Sequence, residues 1–568
     1  MITAPELTRR ETLLYGAAAL ASTIARPALA QAQEGPERHG MSAFGDLKYR
    51  PDFKHFDYVN PNAPKGGVFS HVGATRTFNQ NFLTFNSLNS FIHDSSPLTA
   101  HDVAFSLKVL KDKGHPIAQQ LLRDLVDAEA RDDATMVVRF APYRARDVPL
   151  FAASLPIFSR SYYSKRPFDE TTLEVPLGSG PYKVGRFEPG RHIEYERVKD
   201  WWGADLPVAR GQNNFDIVRY EYYRDRDVAF EGFTAKSYLF REEFTSRTWA
   251  TRYDFPALRD GRIKRYVISD DTPSGALGWF FNTRREKFKE KRLREAFIDA
   301  FDFEWTNKNI MYGSYQRTQS VFQNSDMMAI GKPSADELAL LESFRGKVPD
   351  EVFGDPFVPP VSDGSGQDRM LLRKASALLQ QAGFVIKDGK RVTPKGEPIS
   401  VEFLLDSPSL QPHHTPFIKN LGTLGIEANL RLVDPVQYRK RVDDFDFDLT
   451  VQRFSFSSTP GDSLRSYFSS QAADLRGSQN IGGISDPVID ELIEKIIAAD
   501  SRASLTTACK VLDRVIRAGR YWVPHWYKAS HWLAYWDVFG RPASKPRYAR
   551  GIPETWWYDH EKAAKIDQ

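Results

Sequence analysis

K-R-L-R-E-A-F-I-D-A-F-D-F, residues 291–303, repeats its apolar side chains at helical spacing. Leu293, Ala296, Phe297 and Ala300 fall on one stripe, with Arg292, Arg294, Glu295 and Asp299 outside it as an exposed face, or with Arg292 and Arg294 tying this part of the chain together. From here onward helical and strand patterns alternate. Residues 371–382 read as a second helix that stops at Gly383, a C-cap signal. Residues 399–405, 427–433 and 445–456 read as strands, and 487–499 and 504–516 as helices, the first with Val488, Leu492, Ile493 and Ile496 on its apolar face. That βα spacing predicts an α/β fold.

Upstream the pattern changes. Residues 39–65, rich in Pro, Asn, Gly and aromatics, hold no period and read as an extended ordered arm. Gly67 to Val72 alternates like a first strand. Thr99 and Asp102 form a capping pair for a helix through Lys111, and residues 136–140 read as a buried strand. Residues 178–197 suggest short antiparallel strands, with further strands at 216–223, 263–268 and 277–281 and a short helix at 226–233.

At 568 residues the chain is too long for one core, so several domains are expected. Lys plus Arg number 77 against 73 Asp plus Glu, spread without a basic stripe, which argues against a nucleic-acid partner. Cys509 is the one cysteine; no intramolecular disulfide can form, and its helical apolar surroundings predict a buried thiol. Arg9 and Arg10 precede an apolar run at 13–25, shorter than the roughly twenty residues needed to span a bilayer, followed by Ala28-Leu29-Ala30. The segment reads as an export signal removed after Ala30 or Ala32, leaving a periplasmic protein. T-R-R-E-T-L-L at 8–14 resembles a twin-arginine signal, with ordinary secretion as the alternative.

Within 445–456, Phe445, Phe447, Leu449 and Val451 make an apolar face that ends on the guanidinium of Arg453. Such a group needs a partner. Two are open: a ligand carboxylate or carbonyl at the strand's carboxyl end, or a fixed ion pair with Asp462 or another acid. Phe454 and Phe456 lie on the opposite face, as core or as ligand wall. Gly461-Asp462-Ser463-Leu464 invites an esterase reading, but the block lies late and no D-x-x-H follows. G-S-G-P-Y lacks the glycines and lysine of a phosphate cradle; H-E-x-x-H is missing, and His413-His414 read as a solvated loop pair, so no cofactor or metal is expected.

Several motifs then converge. F-D-Y-V-N-P-N-A-P-K-G-G at 56–67, D-S-S-P-L-T-A-H-D-V-A-F-S at 94–106, G-S-G-P-Y-K-V at 178–184, V-K-D-W-W at 198–202 and N-F-D-I-V-R-Y-E-Y-Y at 214–223 resemble, in order, YejA-like members of bacterial extracellular solute-binding protein family 5. So do R-L-R-E-A-F-I-D-A-F-D-F-E-W at 292–305, F-Q-N at 322–324, K-A-S-A-L-L-Q-Q-A-G at 374–383 and E-T-W-W-Y-D at 554–559.

The resemblance implies a large, oligopeptide-binding-class, type II periplasmic binding fold: two lobes with a hinge, lobe I at 33–268, lobe II at 269–500 and a return to lobe I at 501–568. It also implies a monomeric carrier of a peptide or peptide-like ligand that delivers to an ABC permease and ATPase in the inner membrane. An opine, oligosaccharide or metal chelate is the alternative cargo. Two departures stand out. Near 92–93 the family carries strands and a helix that this chain omits, so part of lobe I is missing, and Ser95 replaces a turn glycine. Ser457 stands where many relatives place an aspartate for a peptide ammonium. The expected ligand set is Arg453, Phe454, Phe456, Asp462 and, by resemblance, Trp249 with Phe78 and Asn79 from the early loop.

Overall fold

Val68-Phe69-Ser70-His71-Val72 carries two β-branched residues and an aromatic, and forms the strand around which the first sheet is built. In this computed structural model residues 37–566 are described, apart from 74–97, 115, 143, 145, 169–172, 176, 177 and 224. The export signal, Phe78, Asn79, Ser95 and the shortened segment near 92–93 lie outside the described residues. Residues 37–51 form a small unit of turns and bends, and residue 52 onward forms the second unit.

The first sheet draws β1 (Val68–Val72), β2 (Tyr182–Glu188), β3 (His192–Arg197), β4 (Ile217–Glu221), β5 (Phe240–Glu243) and β6 (Ile263–Ser269) from the first half of the chain. The second sheet contains β7 (Ala276–Phe281), β8 (Ser400–Leu405), β9 (Glu427–Leu432), β10 (Leu449–Phe454) and β11 (Trp522–Pro524). A later strand, β12 (Ser530–Trp536), inserts into the first sheet between β5 and β6, giving the order β2-β3-β4-β1-β5-β12-β6. The second sheet runs β9-β8-β10-β7-β11, with β8 parallel to β9 and β10, and β7 antiparallel to β10 and β11. Each sheet has its own core. Phe69, Phe215, Phe233 and Leu533 anchor the first; Trp279, Phe281, Phe297 and Phe403 the second.

The motif at 56–67 reaches β1 through a conformation only glycine tolerates easily. Gly67 has φ +71, and a Cβ there would fall 2.2 Å from the Tyr558 ring. Lys65 fastens the arm by donating to the Gln212 carbonyl and the Asn214 amide oxygen, at 2.6 and 2.8 Å. Thr99 and Asp102 form the expected capping box on the helix Ala100–Lys113.

Two expectations change. The helix Lys291–Ala300 buries its stripe, yet Arg294 and Asp299 are buried as well. Arg294 donates to the carbonyls of Phe288, Lys289 and Gly519, and Asp299 meets Lys374 of the helix Arg369–Gln381, so these charges tie elements together instead of facing water. The return to the first sheet also comes later than Ser501. The helix Arg502–Gly519 packs on Pro487–Ala498, and β11 pairs with β7, so the chain crosses back only after Pro524. That helix packs on the helices Ala335–Glu342 and Pro487–Ala498.

Candidate functional site

The two crossings between the sheets, residues 270–275 and 525–529, run side by side, joined by the Asp270 amide donating to the Ala529 carbonyl at 3.0 Å. His531 at the start of β12 links them to the first sheet: Nδ1 lies 2.7 Å from Glu242 Oε1 and Nε2 3.3 Å from Asp270 Oδ2. Burial pulls its imidazole pKa down, but the two carboxylates outweigh that and hold it above the usual value. On the other side, Asn324 donates to the carbonyls of Asp270 and Thr272, both at 2.8 Å.

An aromatic wall stands beside this junction. Trp249, on the helix Ser246–Thr251, stacks on Trp532 with centroids 5.5 Å apart, and Arg265 lies 3.8 Å over the Trp249 ring. Lys528 Nζ sits 3.3 Å from the centre of the Trp532 ring. Tyr315 reaches both Trp532 and Trp526, at 6.2 and 6.4 Å. Burial raises the Tyr315 phenol, and the field of Arg453 works against that rise. Trp249, Trp532, Lys528 and Tyr315 are therefore one neighbourhood, and Arg453 of the second sheet lies within electrostatic reach of its Tyr315.

Arg453, one residue before the end of β10, lies opposite Leu277 of β7 and is exposed to solvent. It makes no ion pair or hydrogen bond among the described residues. Asp462, the alternative partner, is instead taken by Arg465 and by Arg123, the latter at 2.6 Å. Of the sequence-derived set, Trp249 stands in the wall, Arg453 lies within electrostatic reach of Tyr315, and three residues go elsewhere. Phe454 and Phe456 are 6 % and 7 % exposed and pack with Phe280, Phe322, Tyr467 and Phe468, so they serve the core. The alternation of β10 sends them away from Arg453. Lys528, Trp532 and Tyr315 escaped the sequence reading because two distant segments bring them together; the aromatic density of W-Y-K-A-S-H-W at 526–532 was the available signal.

Near the wall lies a cavity of about 850 Å³ whose lining includes Asp271, Asn307, Tyr315, Gln323, Ser458 and Tyr527. It shares Tyr315 with the wall and none of the expected ligand residues. Beneath, His413 and His414 sit on the helix Gln411–Thr423, correcting the loop reading. His414 is wholly buried, 4.2 Å from Trp279 and 5.8 Å from His525 between ring centroids. No group of three or more His, Cys, Asp or Glu among the described residues is arranged to hold a metal.

Comparison with known proteins gives the same answer from two directions. The profile of the family described as bacterial extracellular solute-binding proteins, family 5 Middle, matches residues 92–475. The chain is 36 % identical to the YejA protein of Escherichia coli K12, covering 94 % of this chain and 96 % of that one. It is 34 % identical to a probable peptide-binding protein YejA of Agrobacterium fabrum, over 94 % and 97 %. These alignments run over 588 and 594 positions, longer than the 568-residue chain, so both relatives carry residues opposite gaps in it. In structure it resembles the oligopeptide-binding protein AppA of Bacillus subtilis in complex with a nonapeptide, with TM-score 0.60, 17 % identity and coverage of 88 % and 100 %. The fold is thus the type II, oligopeptide-class binding fold expected from sequence.

Proposed function

The chain belongs to family 5 of the bacterial extracellular solute-binding proteins, and from that premise we propose that it captures short peptides or peptide-like conjugates in the periplasm. It then hands them to an inner-membrane ABC permease and its ATPase. The observation that carries this reading is the exposed, uncommitted guanidinium of Arg453 on the second sheet, within electrostatic reach of an aromatic wall built on Trp532 of the first. Aromatic faces accept many side chains with little selectivity, and a guanidinium fork grips a carboxylate or carbonyl.

Each sheet forms the heart of one lobe, with the boundary at the paired crossings 270–275 and 525–529. A ligand touching both lobes favours the closed population through its differential affinity. The protein works as a monomer and releases its cargo unaltered. Ser463 is exposed and bonds to no histidine among the described residues, so the esterase reading lacks a base. The longer alignments of the relatives support an internal deletion, which we place near 92–93 in the first lobe.

A calorimetric and thermal-shift screen of tri- to octapeptides, including amino-blocked ones, tests the function. Saturable binders should raise the melting temperature, by an amount equivalent to about 2.7 kcal/mol at a hundredfold excess over Kd. A panel without one removes the peptide reading. Turnover of p-nitrophenyl esters that vanishes in Ser463→Ala would overturn the carrier reading itself.

A further inference from the structure

The cavity of about 850 Å³ lies at the crossings, and its volume falls in the roughly 300–1,000 Å³ range of small-molecule sites. Asp271 and Pro273 of the first crossing and Tyr527 of the second line it, together with Arg547 and Tyr548 from the chain beyond β12. Lys545 ties that last segment to the first crossing, donating to Asp271 at 2.9 Å and to the Arg547 carbonyl at 3.0 Å.

The charges in the wall are engaged. Asp271 has Lys545, Asp326 is paired with Arg502, and Glu304 accepts from the Ser362 amide and hydroxyl at 2.9 and 2.6 Å. Arg317 donates from both Nη atoms to the carbonyls of Pro360 and Ile298, at 2.9 and 3.2 Å, in the field of Glu304. Arg547 makes no ion pair among the described residues and lies exposed, its guanidinium over the Tyr548 ring.

The neutral polar groups are only half engaged. Gln323 is 4 % exposed, and its Oε1 accepts from the Gln319 amide at 2.8 Å. Its side-chain N–H groups have no partner among the described residues, and the cavity that the residue lines is the space left to them. Gln316 repeats the pattern: Oε1 accepts from the Tyr527 hydroxyl at 2.8 Å and the N–H groups are free. Asn324 shows the converse, with its N–H groups held by the carbonyls of Asp270 and Thr272 and its Oδ1 open. A buried donor without a partner is costly, so a guest that satisfies it is favoured.

We propose that this cavity is a second guest site, one that takes an uncharged sugar: Gln323 and Gln316 donate to its oxygens, Asn324 Oδ1 accepts from a hydroxyl, and the Tyr548 ring lies against the sugar ring. A hydroxyl both donates and accepts, so one kind of group satisfies the free N–H donors and the free acceptor together. An ammonium would find every lining carboxylate engaged, and an anion would find only the exposed Arg547. The site is additional to the peptide site and independent of it.

The test is titration calorimetry and thermal shift of the full chain with maltose, repeated with methyl glucoside, methyl glucuronide and methyl glucosaminide, which share one ring and differ in charge. Maltose should bind with a Kd on the order of 1 mM or below, and methyl glucoside at least about threefold tighter than its cationic analogue and no weaker than its anionic one. Gln323→Glu keeps the acceptor for the Gln319 amide and removes the free N–H groups, so it should weaken maltose binding about tenfold. Tyr548→Ala, at a position 47 % exposed, should weaken it about threefold and decides the question if melting curves show that Gln323→Glu does not fold.

No saturable binding of maltose, tighter binding of either charged glycoside, unchanged maltose affinity in a folded variant, or displacement of maltose by the neutral peptide acetyl-Ala-Ala-Ala-carboxamide overturns the proposal. Maltose binding beside a failed peptide screen leaves this site standing and removes the peptide reading. Peptide binding without maltose binding does the reverse.

Discussion

Arg453 shows how far one side chain is legible from its neighbours in sequence. The apolar face of Leu449 and Val451 foretold that a guanidinium at the next position would be unusual, and the structure leaves it without the Asp462 partner that would have made it structural. Arg453→Ala is predicted to weaken ligand binding by about tenfold, the scale of one charge-assisted contact, and to leave the melting temperature within a degree or so. A fall in stability instead would return the residue to a structural role. Gly275, where the first crossing enters β7, makes a contrasting case. Its φ is +63 and a Cβ would fall 2.0 Å from the Phe454 carbonyl oxygen, so strain and overpacking coincide. Gly275→Ala should lose on the order of 3 kcal/mol in urea unfolding; a loss below about 0.5 kcal/mol would show that β7 and β10 part easily.

At the level of elements, period-3.6 and period-2 patterns found most of the long helices and strands, because burial on one face is a local property of sequence, but not the helix Gln411–Thr423 or β12. They missed what lies between elements. His414 on its helix and His525 after β11 are both wholly buried, and neither imidazole has a hydrogen-bond partner among the described residues. Burial, with His413 alongside, pushes His414 down to about 3, and burial with the neighbouring cationic and imidazole groups pushes His525 well below its usual value. Both therefore stay neutral in the folded state at pH values where the unfolded chain binds protons. Their contribution is fully present above pH 6.5 and is lost as the pH falls from there towards the folded values. Each should steepen acid destabilisation by about 1.4 kcal/mol per pH unit. Urea unfolding of His414→Gln between pH 6 and pH 4 should show a slope shallower by about that amount; an unchanged slope would mean that the imidazole is hydrated when folded.

Across the whole molecule the crossings decide behaviour. His531 has its pKa raised, so its tie to Glu242 and Asp270 is fully present below pH 6.5 and is lost as the pH rises through the higher folded value. His531→Gln should cost on the order of 1 kcal/mol at pH 6 and almost nothing at pH 9; an equal loss at both would mean that charge is irrelevant to the tie. Arg123 to Asp462, at 2.6 Å, and Arg146 Nη2 to the carbonyls of Ile496 and Ile497, at 2.9 and 3.0 Å, join the region carrying the Ala100–Lys113 helix to the second sheet's side. As a hypothesis, these contacts belong to the closed state. Arg123→Ala combined with Arg146→Ala should then lower ligand affinity about threefold and enlarge the radius of gyration by X-ray scattering without ligand; identical scattering and affinity would exclude a latch.

By itself the sequence determined the class of fold, most elements, the family and the special status of Arg453, since periodicity, capping and ordered motifs are written along the chain. Tertiary structure alone decided that Phe454 and Phe456 belong to the core, that Arg294 and Asp299 turn inward, and that the return to the first sheet waits until after Pro524. It also brought Lys528 and Trp532 together with Tyr315, in the field of Arg453. Those outcomes depend on which surfaces meet across hundreds of residues, and packing between distant segments leaves no local period to read.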